Sequence, residues 1–319
     1  MRHWTVLLGF LIACNGGIVL NPLEKGELPL FFDVKEQFLQ RPLPAVDLLF
    51  VVDDTLSMAD VQGDLAEQFD MFAAELETRQ IRWHGGVITM APEGEKAGWL
   101  QGEPWLVTSS LPNASEMFSE NLLLGSGGVQ NEAGIYAVVK ALDYAQSGQP
   151  NAGFRRSEAA LVVVFVSNED DGSDEWISED PVGALLTRLD NEVSDYGTRA
   201  TVSAIVGDAK EGCDGVGGWV APGARYLQAV AATGGGFSSI CAPDLSVLWE
   251  GMNSASGWYL DTFFLTHTPQ REEYLRVRVD EEYLEEGWVL EMKPPRVVFS
   301  VVPAPDSVVT VEYFVGKQP

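Results

Sequence analysis

Short apolar runs alternate with stretches of helical periodicity through most of the chain. The run from Leu48 to Val52 is too short for a buried helix and favours a strand covered on both faces. From Asp60 to Thr78, apolar residues recur at helical spacing, as in a helix with one face packed on a sheet. The same reasoning predicts further strands at 81–90, 105–108, 159–166, 200–206 and 236–240, and further helices at 131–145, 182–189, 224–232 and 245–252. This alternation predicts an α/β fold with a doubly wound, mostly parallel sheet.

The pattern changes near residue 257. Beyond it, short alternating segments follow one another between Pro and Gly residues without helical periodicity, which predicts a small all-β C-terminal module. We therefore divide the sequence into an α/β domain at 46–256 and a β module at 257–319. Residues 14–45 are expected to form a tether, with Phe31–Leu39 as a candidate edge strand.

Residues 1–13 have a basic tip and an apolar core too short to span a bilayer, which is typical of a signal peptide. The sequence Leu-Ile-Ala before Cys14 resembles a bacterial lipobox, in which this cysteine is lipidated and becomes the N-terminus. The alternative is an unlipidated secreted protein with a coincidental cysteine. We expect a lipid-anchored protein of the bacterial cell envelope, at the outer membrane or facing the periplasm, that contacts the membrane through its anchor only.

The composition narrows the choice of partners and metals. A formal net charge of −27 argues against nucleic acid and anionic lipid surfaces as partners. With Cys14 lipidated, Cys213 and Cys241 remain, either as a disulfide in an oxidising compartment or as two buried thiols. The chain has three His residues, which disfavours a zinc site of the usual Cys/His spacing and a His-based catalytic triad.

Oxygen-bearing side chains cluster directly after the first predicted strand. Asp53, Thr55 and Ser57 occupy the turn between this strand and the following helix. In open α/β sheets ligands bind at the carboxyl ends of strands, and oxygen ligands without His or Cys suit Mg²⁺, Ca²⁺ or Mn²⁺. The alternative is a polar turn that caps the helix. The segment resembles the start of the metal-ion-dependent adhesion site (MIDAS) of von Willebrand factor A (vWA) domains, D-x-S-x-S after an apolar strand.

Two later loops resemble those of bacterial envelope lipoproteins of the myxobacterial type that contain vWA domains. The sequence G-S-G-G-V-Q-N-E-A-G-I-Y-A at 125–137 is similar to their G-T-S-G-C-G-F-E-Q-G-L-E-A and places Ser126 and Glu132 on their Thr and Glu. The sequence S-N-E-D-D-G-S at 167–173 is similar to their T-D-E-D-D-C-S and places Asn168 on their metal-proximal Asp. Asp170 or Asp171 could compensate for the charge that Asn168 lacks. The alternatives are a Gly-rich connector and a solvated acidic loop. The segment 225–241 and the β tail also resemble these lipoproteins.

The resemblance implies a binding protein that is not an enzyme. Asp53, Thr55 and Ser57 would form the inner part of a cation site, Ser126 would add a hydroxyl, and Glu132, Asn168 and Asp170 would complete its surroundings. A partner protein would offer a carboxylate to the cation. One alternative is a vWA scaffold with a degenerate metal site that binds through its loops or β tail. Two others are a metal-dependent hydrolase built on the 168–175 loop and a two-lobed solute-binding lipoprotein; the sequence lacks a nucleophile elbow, a phosphate loop and a Cys/His pair.

Overall fold

The computed structural model describes residues 19–20, 31–40, 45–94, 97–128, 132–195, 197–215, 218–242, 259–271, 275–293, 295–304 and 306–316. The chain divides into two compact units. We call Pro42–Leu260 the central unit, and Met1–Arg41 together with Asp261–Pro319 the β unit. The signal peptide and lipidation site expected at 1–14, and the helix expected at 245–252, lie outside the described residues. Within the described ranges, no helix combines the length and apolar character needed to cross a membrane.

Helices and strands are numbered in chain order over the described residues. The helices are α1 (Ala59–Thr78), α2 (Ala114–Leu122), α3 (Gly134–Asp143), α4 (Pro181–Leu189) and α5 (Ala224–Thr233). The strands are β1 (Val19–Leu20), β2 (Phe31–Leu39), β3 (Ala45–Val52), β4 (Arg82–Thr89), β5 (Val107–Thr108), β6 (Ala160–Val166), β7 (Thr201–Val206), β8 (Cys213–Gly215), β9 (Gly218–Val220), β10 (Phe237–Ser239), β11 (Thr262–Phe264), β12 (Arg276–Val279), β13 (Glu282–Leu284), β14 (Trp288–Met292), β15 (Pro295–Phe299) and β16 (Val308–Gly316).

The central unit is built on a six-stranded sheet with the order β10-β7-β6-β3-β4-β5. Strand β3 pairs in parallel with both β4 and β6, whereas β5 runs antiparallel to β4. Strands β4 and β5 thus lie on one side of β3, and the later strands β6, β7 and β10 lie on its other side. Ligands bind at such a reversal of strand order, outside the carboxyl ends of the strands. The turns that follow β3 and β6 lie at this point.

Each face of the central sheet carries its own apolar core. Strand β3 is buried along its whole length, as expected of a strand covered on both faces. Its residues alternate between the faces: Leu48 and Phe50 pack with α1 and α2, whereas Leu49 and Val51 pack with α3, α4 and α5. The predicted mixed α/β fold with a mostly parallel sheet is therefore confirmed.

Apolar periodicity in the sequence predicts helix α1, whereas helix α2 was found only in the structure. Helix α1 buries Leu65, Phe69 and Leu76 on the face that packs on the sheet. Helix α2 was not predicted, although Ala114, Met117, Phe118 and Leu122 stand at helical spacing. It is held by Phe118, whose ring lies 4.5 Å from that of Phe69 between centroids. The short hairpin of β8 and β9 was also not predicted.

The β unit contains a five-stranded sheet of order β1-β2-β16-β12-β13 and a three-stranded sheet of order β11-β15-β14. The sequence prediction placed Phe31–Leu39 in the tether as a candidate edge strand. In the structure this strand, β2, pairs antiparallel with β16 along its length and with β1 on its other side. The N-terminal strands therefore share a sheet with the C-terminal ones, a pairing that local sequence patterns do not indicate.

Candidate metal centre

The turn after β3 holds its carboxylate in a fixed orientation. Asp53 is wholly buried, and its N–H donates to the carbonyl of Val166 at the end of β6 (3.0 Å). Asp53 Oδ1 accepts hydrogen bonds from the backbone N–H of Thr55 (2.7 Å) and from the Thr55 hydroxyl (2.6 Å). Thr55 Oγ1 lies 3.1 Å from Ser57 Oγ. The three oxygen-bearing residues predicted from the sequence thus form one hydrogen-bonded group.

The turn after β6 meets this group through two side chains. The Asn168 Nδ2 amide donates to Ser57 Oγ (3.0 Å), and Ser167 Oγ lies 3.3 Å from Asp53 Oδ2. Asn168 Oδ1 is buried and has no hydrogen-bond partner within the described part of the chain. Ser167 was not predicted from the sequence, although a hydroxyl residue directly after the second fully buried strand was the available signal. The predicted convergence of the β3 and β6 turns is therefore present.

Glu132 places a second buried carboxyl group beside Asp53. Its side chain is 5% exposed, and its Oε2 lies 3.3 Å from Ser167 Oγ. Burial, followed by a hydrogen bond with Asp53 and repulsion from the Asp53 carboxylate, raises the pKa of Glu132 to about 10. At neutral pH Glu132 is therefore protonated and uncharged in the metal-free chain.

The loop that carries Ser126 is fastened to the same turn by Gln62 of α1. The Gln62 side-chain amide donates to the carbonyls of Asp53 and Gly125, both at 3.0 Å, and its Oε1 accepts the N–H of Gly125 (3.1 Å). Ser126 itself is exposed. Gln62 was not predicted from the sequence, although a glutamine on the apolar face of an amphipathic helix was a signal of a buried polar contact.

Gly128 provides a second attachment of this loop. Its N–H donates to the carbonyl of Asp54 (2.8 Å), and a Cβ at this position would come within 2.7 Å of the Asp54 carbonyl carbon. Burial raises the pKa of the Asp54 side chain. This close backbone approach requires glycine, which gives the Gly-rich sequence of the loop a structural reason.

The acidic residues at 170 and 171 point to helix starts. Asp170 Oδ1 accepts the N–H of Arg225 at the beginning of α5 (2.9 Å). Asp171, which is buried, accepts the N–H of Ile135 in the first turn of α3 (2.9 Å) and the N–H of Ser173 (3.0 Å). The structure thus groups Asp53, Thr55, Ser57, Glu132 and Asn168, whereas Asp170 is engaged with α5.

The chemistry of this group fits a hard divalent cation. A buried acceptor oxygen requires a donor or a positive charge, and Asn168 Oδ1 has neither among the described residues. Carboxylate, hydroxyl and amide oxygens are the ligands that Mg²⁺ and Ca²⁺ take in proteins. In the described ranges no group of three or more His, Cys, Asp or Glu side chains is arranged to hold a metal ion. A cation at this point would therefore depend on the hydroxyls of Thr55 and Ser57 as well as on Asp53.

A disulfide joins Cys213 to Cys241, which confirms the predicted pairing and excludes two buried thiols. Cys213 begins β8, and Cys241 follows β10. The bond therefore ties the β8–β9 hairpin to the chain at the far edge of the central sheet.

The chain is similar to several solved structures at low sequence identity. A von Willebrand factor type A protein from Catenulispora acidiphila is 12% identical, with a TM-score of 0.40 over 96% of this chain and 66% of that one. The pilus adhesin SpaC from Lactobacillus rhamnosus GG, in its open conformation, is 12% identical, with a TM-score of 0.39 over 95% of this chain and 42% of the adhesin. The pilus adhesin RrgA from Streptococcus pneumoniae is 8% identical, with a TM-score of 0.34 over 96% of this chain and 61% of that one. Neither a family model nor a curated protein sequence matches the chain. The chain spans less than half of the SpaC chain and less than two thirds of RrgA.

Proposed function

We propose that the chain is a vWA-like binding protein of the bacterial cell envelope, lipid-anchored at Cys14, that holds Mg²⁺, Ca²⁺ or Mn²⁺ at a MIDAS-like site and binds a carboxylate of a partner protein there. The observation that carries this proposal is the meeting of the β3 and β6 turns at the reversal of strand order. The buried carboxyl groups of Asp53 and Glu132 and the unpaired amide oxygen of Asn168 lie at that point.

The side chains of the centre would hold a cation and leave it accessible to a partner. Asp53 brings the charge, and its orientation is fixed by Thr55. The hydroxyls of Thr55 and Ser57 add neutral oxygens, so that the site retains net positive charge when a cation is bound. This positive charge would attract the carboxylate of a partner protein. Without it, the carboxylates at Asp53 and Asp54 repel an acidic partner.

Thermal and chemical unfolding of the full chain with each cation tests the proposal. A ligand that binds the folded state at 100 times its Kd adds about 2.7 kcal/mol to the free energy of unfolding. We expect stabilisation of this kind in the native sequence and its loss in Asp53→Ala. Glu116→Ala removes an exposed carboxylate on α2 and should retain the effect. Equal stabilisation of Asp53→Ala, or none in the native sequence, contradicts a cation site at Asp53.

One contact favours a second candidate function, a vWA-like scaffold that binds partners without a cation. The Asn168 amide donates to Ser57 Oγ and so satisfies this hydroxyl with no metal, while it adds no negative charge. If this candidate is correct, the native sequence shows no cation-dependent stabilisation, and Asn168→Asp acquires it because a second carboxylate then faces Ser57.

A further inference from the structure

A groove of about 580 Å³ opens beside the candidate metal centre and shares Ser57 and Asn168 with it. The first half of α1 forms one wall. The other wall consists of the β8–β9 hairpin and the segment that follows β10, which the disulfide joins. Both walls belong to the central unit, and the covalent link fixes the hairpin wall in place.

The α1 wall carries three exposed carboxylates, Asp60, Asp64 and Glu67. Their spacing of four and three residues places them on one side of the helix, facing the groove. Among the described residues they take part in no ion pair. The wall therefore presents a row of negative charges that nothing in the described chain neutralises.

The hairpin wall presents an aromatic ring to the same groove. Trp219 on β9 is 65% exposed, and its indole N–H donates to the carbonyl of Glu211 (3.2 Å). This hydrogen bond fixes the ring by its edge and leaves its faces accessible. The face of an indole attracts Lys and Arg side chains, so both walls favour the same kind of ligand.

Gly63 indicates that the space in the groove is not filled by the chain itself. It lies in the interior of α1 and lines the groove. A Cβ at this position would meet no atom of the described structure within 4 Å. Glycine is among the least favourable residues inside a helix. Because packing does not require glycine at position 63, we look for its reason in the groove. A side chain here would project into the groove and narrow it.

We propose that this groove binds an extended segment of a partner protein that carries Lys or Arg side chains. The carboxylates of α1 pair with its cationic groups, the Trp219 indole stacks on one of them, and the bare surface at Gly63 admits its backbone. This binding requires no metal ion, so it goes beyond the cation-dependent function and can succeed or fail independently of it.

Fluorescence anisotropy of a fluorescein-labelled peptide, Gly-Arg-Gly-Lys-Gly-Arg-Gly, tests the charge requirement with the full chain in EDTA. We expect saturable binding that weakens about tenfold in the triple variant Asp60→Asn, Asp64→Asn, Glu67→Gln. The control triple variant Glu77→Gln, Glu116→Gln, Glu120→Gln removes the same charge outside the groove and should weaken binding less than about twofold. Equal losses in the two variants would mean that net charge alone attracts the peptide, and would overturn the proposal.

Three further variants test the shape of the groove. Gly63→Leu should weaken peptide binding about tenfold, whereas Gly63→Ala should have a small effect. Alanine and leucine are better helix formers than glycine, and a Cβ at residue 63 meets no neighbour, so both variants should retain the circular dichroism of the native chain. Trp219→Phe should give an intermediate loss. Undiminished binding in Gly63→Leu, or equal binding of the matching Glu-containing peptide, overturns the proposal. Because EDTA is present throughout, neither result bears on the cation site.

Discussion

Replacing Glu132 with glutamine should make the metal-free protein more stable at neutral and alkaline pH. In the folded chain the pKa of Glu132 is raised from its ordinary value of 4.5 to about 10, chiefly by burial and then by Asp53. The folded state therefore holds a proton that the unfolded chain releases. A glutamine amide can donate a hydrogen bond to Asp53 as the protonated carboxyl does, and it needs no proton to do so.

The sign and size of the effect follow from this difference in proton binding. Because the folded state binds the additional proton, the contribution of Glu132 is fully favourable below pH 4.5 and is lost progressively as the pH rises towards 10. The loss is 1.36 kcal/mol per pH unit, or about 3 kcal/mol between pH 6 and pH 8. The glutamine variant does not incur this loss. Its stability relative to the native sequence should therefore rise by about 3 kcal/mol over this interval.

Urea unfolding of the native sequence and of Glu132→Gln, both in EDTA at pH 6, 7 and 8, measures this change in relative stability. Subtracting one free energy of unfolding from the other removes the contributions of groups that titrate equally in the two proteins. Glu116→Gln, which removes an exposed carboxylate from α2, is the control for the loss of one negative charge. A difference between Glu132→Gln and the native sequence that stays constant with pH would show that Glu132 is ionised in the folded state. That result would refute the raised pKa of Glu132.

Three further changes test contacts around the centre and on the opposite edge of the sheet. Gly128→Ala places a methyl group against the Asp54 backbone and should cost about 1–3 kcal/mol of stability in urea unfolding, whereas an unchanged midpoint would contradict the close approach. Replacing both Cys213 and Cys241 with Ser should lower the free energy of unfolding by about 3 kcal/mol. If the native chain unfolds at the same urea concentration under reducing and oxidising conditions, that result would argue against the bond. Asp47→Ala removes a wholly buried carboxylate that pairs with Arg155 and Arg156, of which Arg155 keeps Glu192, and should cost about 3 kcal/mol; a loss below about 1 kcal/mol, as for an exposed pair, would contradict its burial.

The sequence predicted the parts of the centre that depend on local patterns. The buried strand β3, the turn from Asp53 to Ser57 and the amphipathic helix α1 follow one another without interruption, so apolar periodicity and residue type were sufficient. With Cys14 assigned to the lipid anchor, the number of cysteines left either a Cys213–Cys241 disulfide or two buried thiols, and the structure has the disulfide.

Contacts between distant segments could not be predicted in the same way. Gln62 joins two loops that are far apart in sequence, and Ser167 bridges two carboxyl groups from different segments. The acidic run after β6 offers several equivalent carboxylates, and the sequence does not distinguish which of them face the centre. In the structure Asp170 accepts the free N–H of Arg225 at the start of α5, because unsatisfied N–H groups at a helix start attract carboxylates. The pairing of β2 with β16 likewise arises from the tertiary fold.

Anomalous scattering from crystals of the native chain soaked in Mn²⁺ would locate a cation bound at the β3 and β6 turns. We predict a peak between the turn at Asp53–Ser57 and the turn at Ser167–Asn168, and its absence from Asp53→Ala crystals soaked in the same way. A native crystal without a peak at this position, or a peak that persists in Asp53→Ala, would contradict a cation held at the carboxyl ends of β3 and β6.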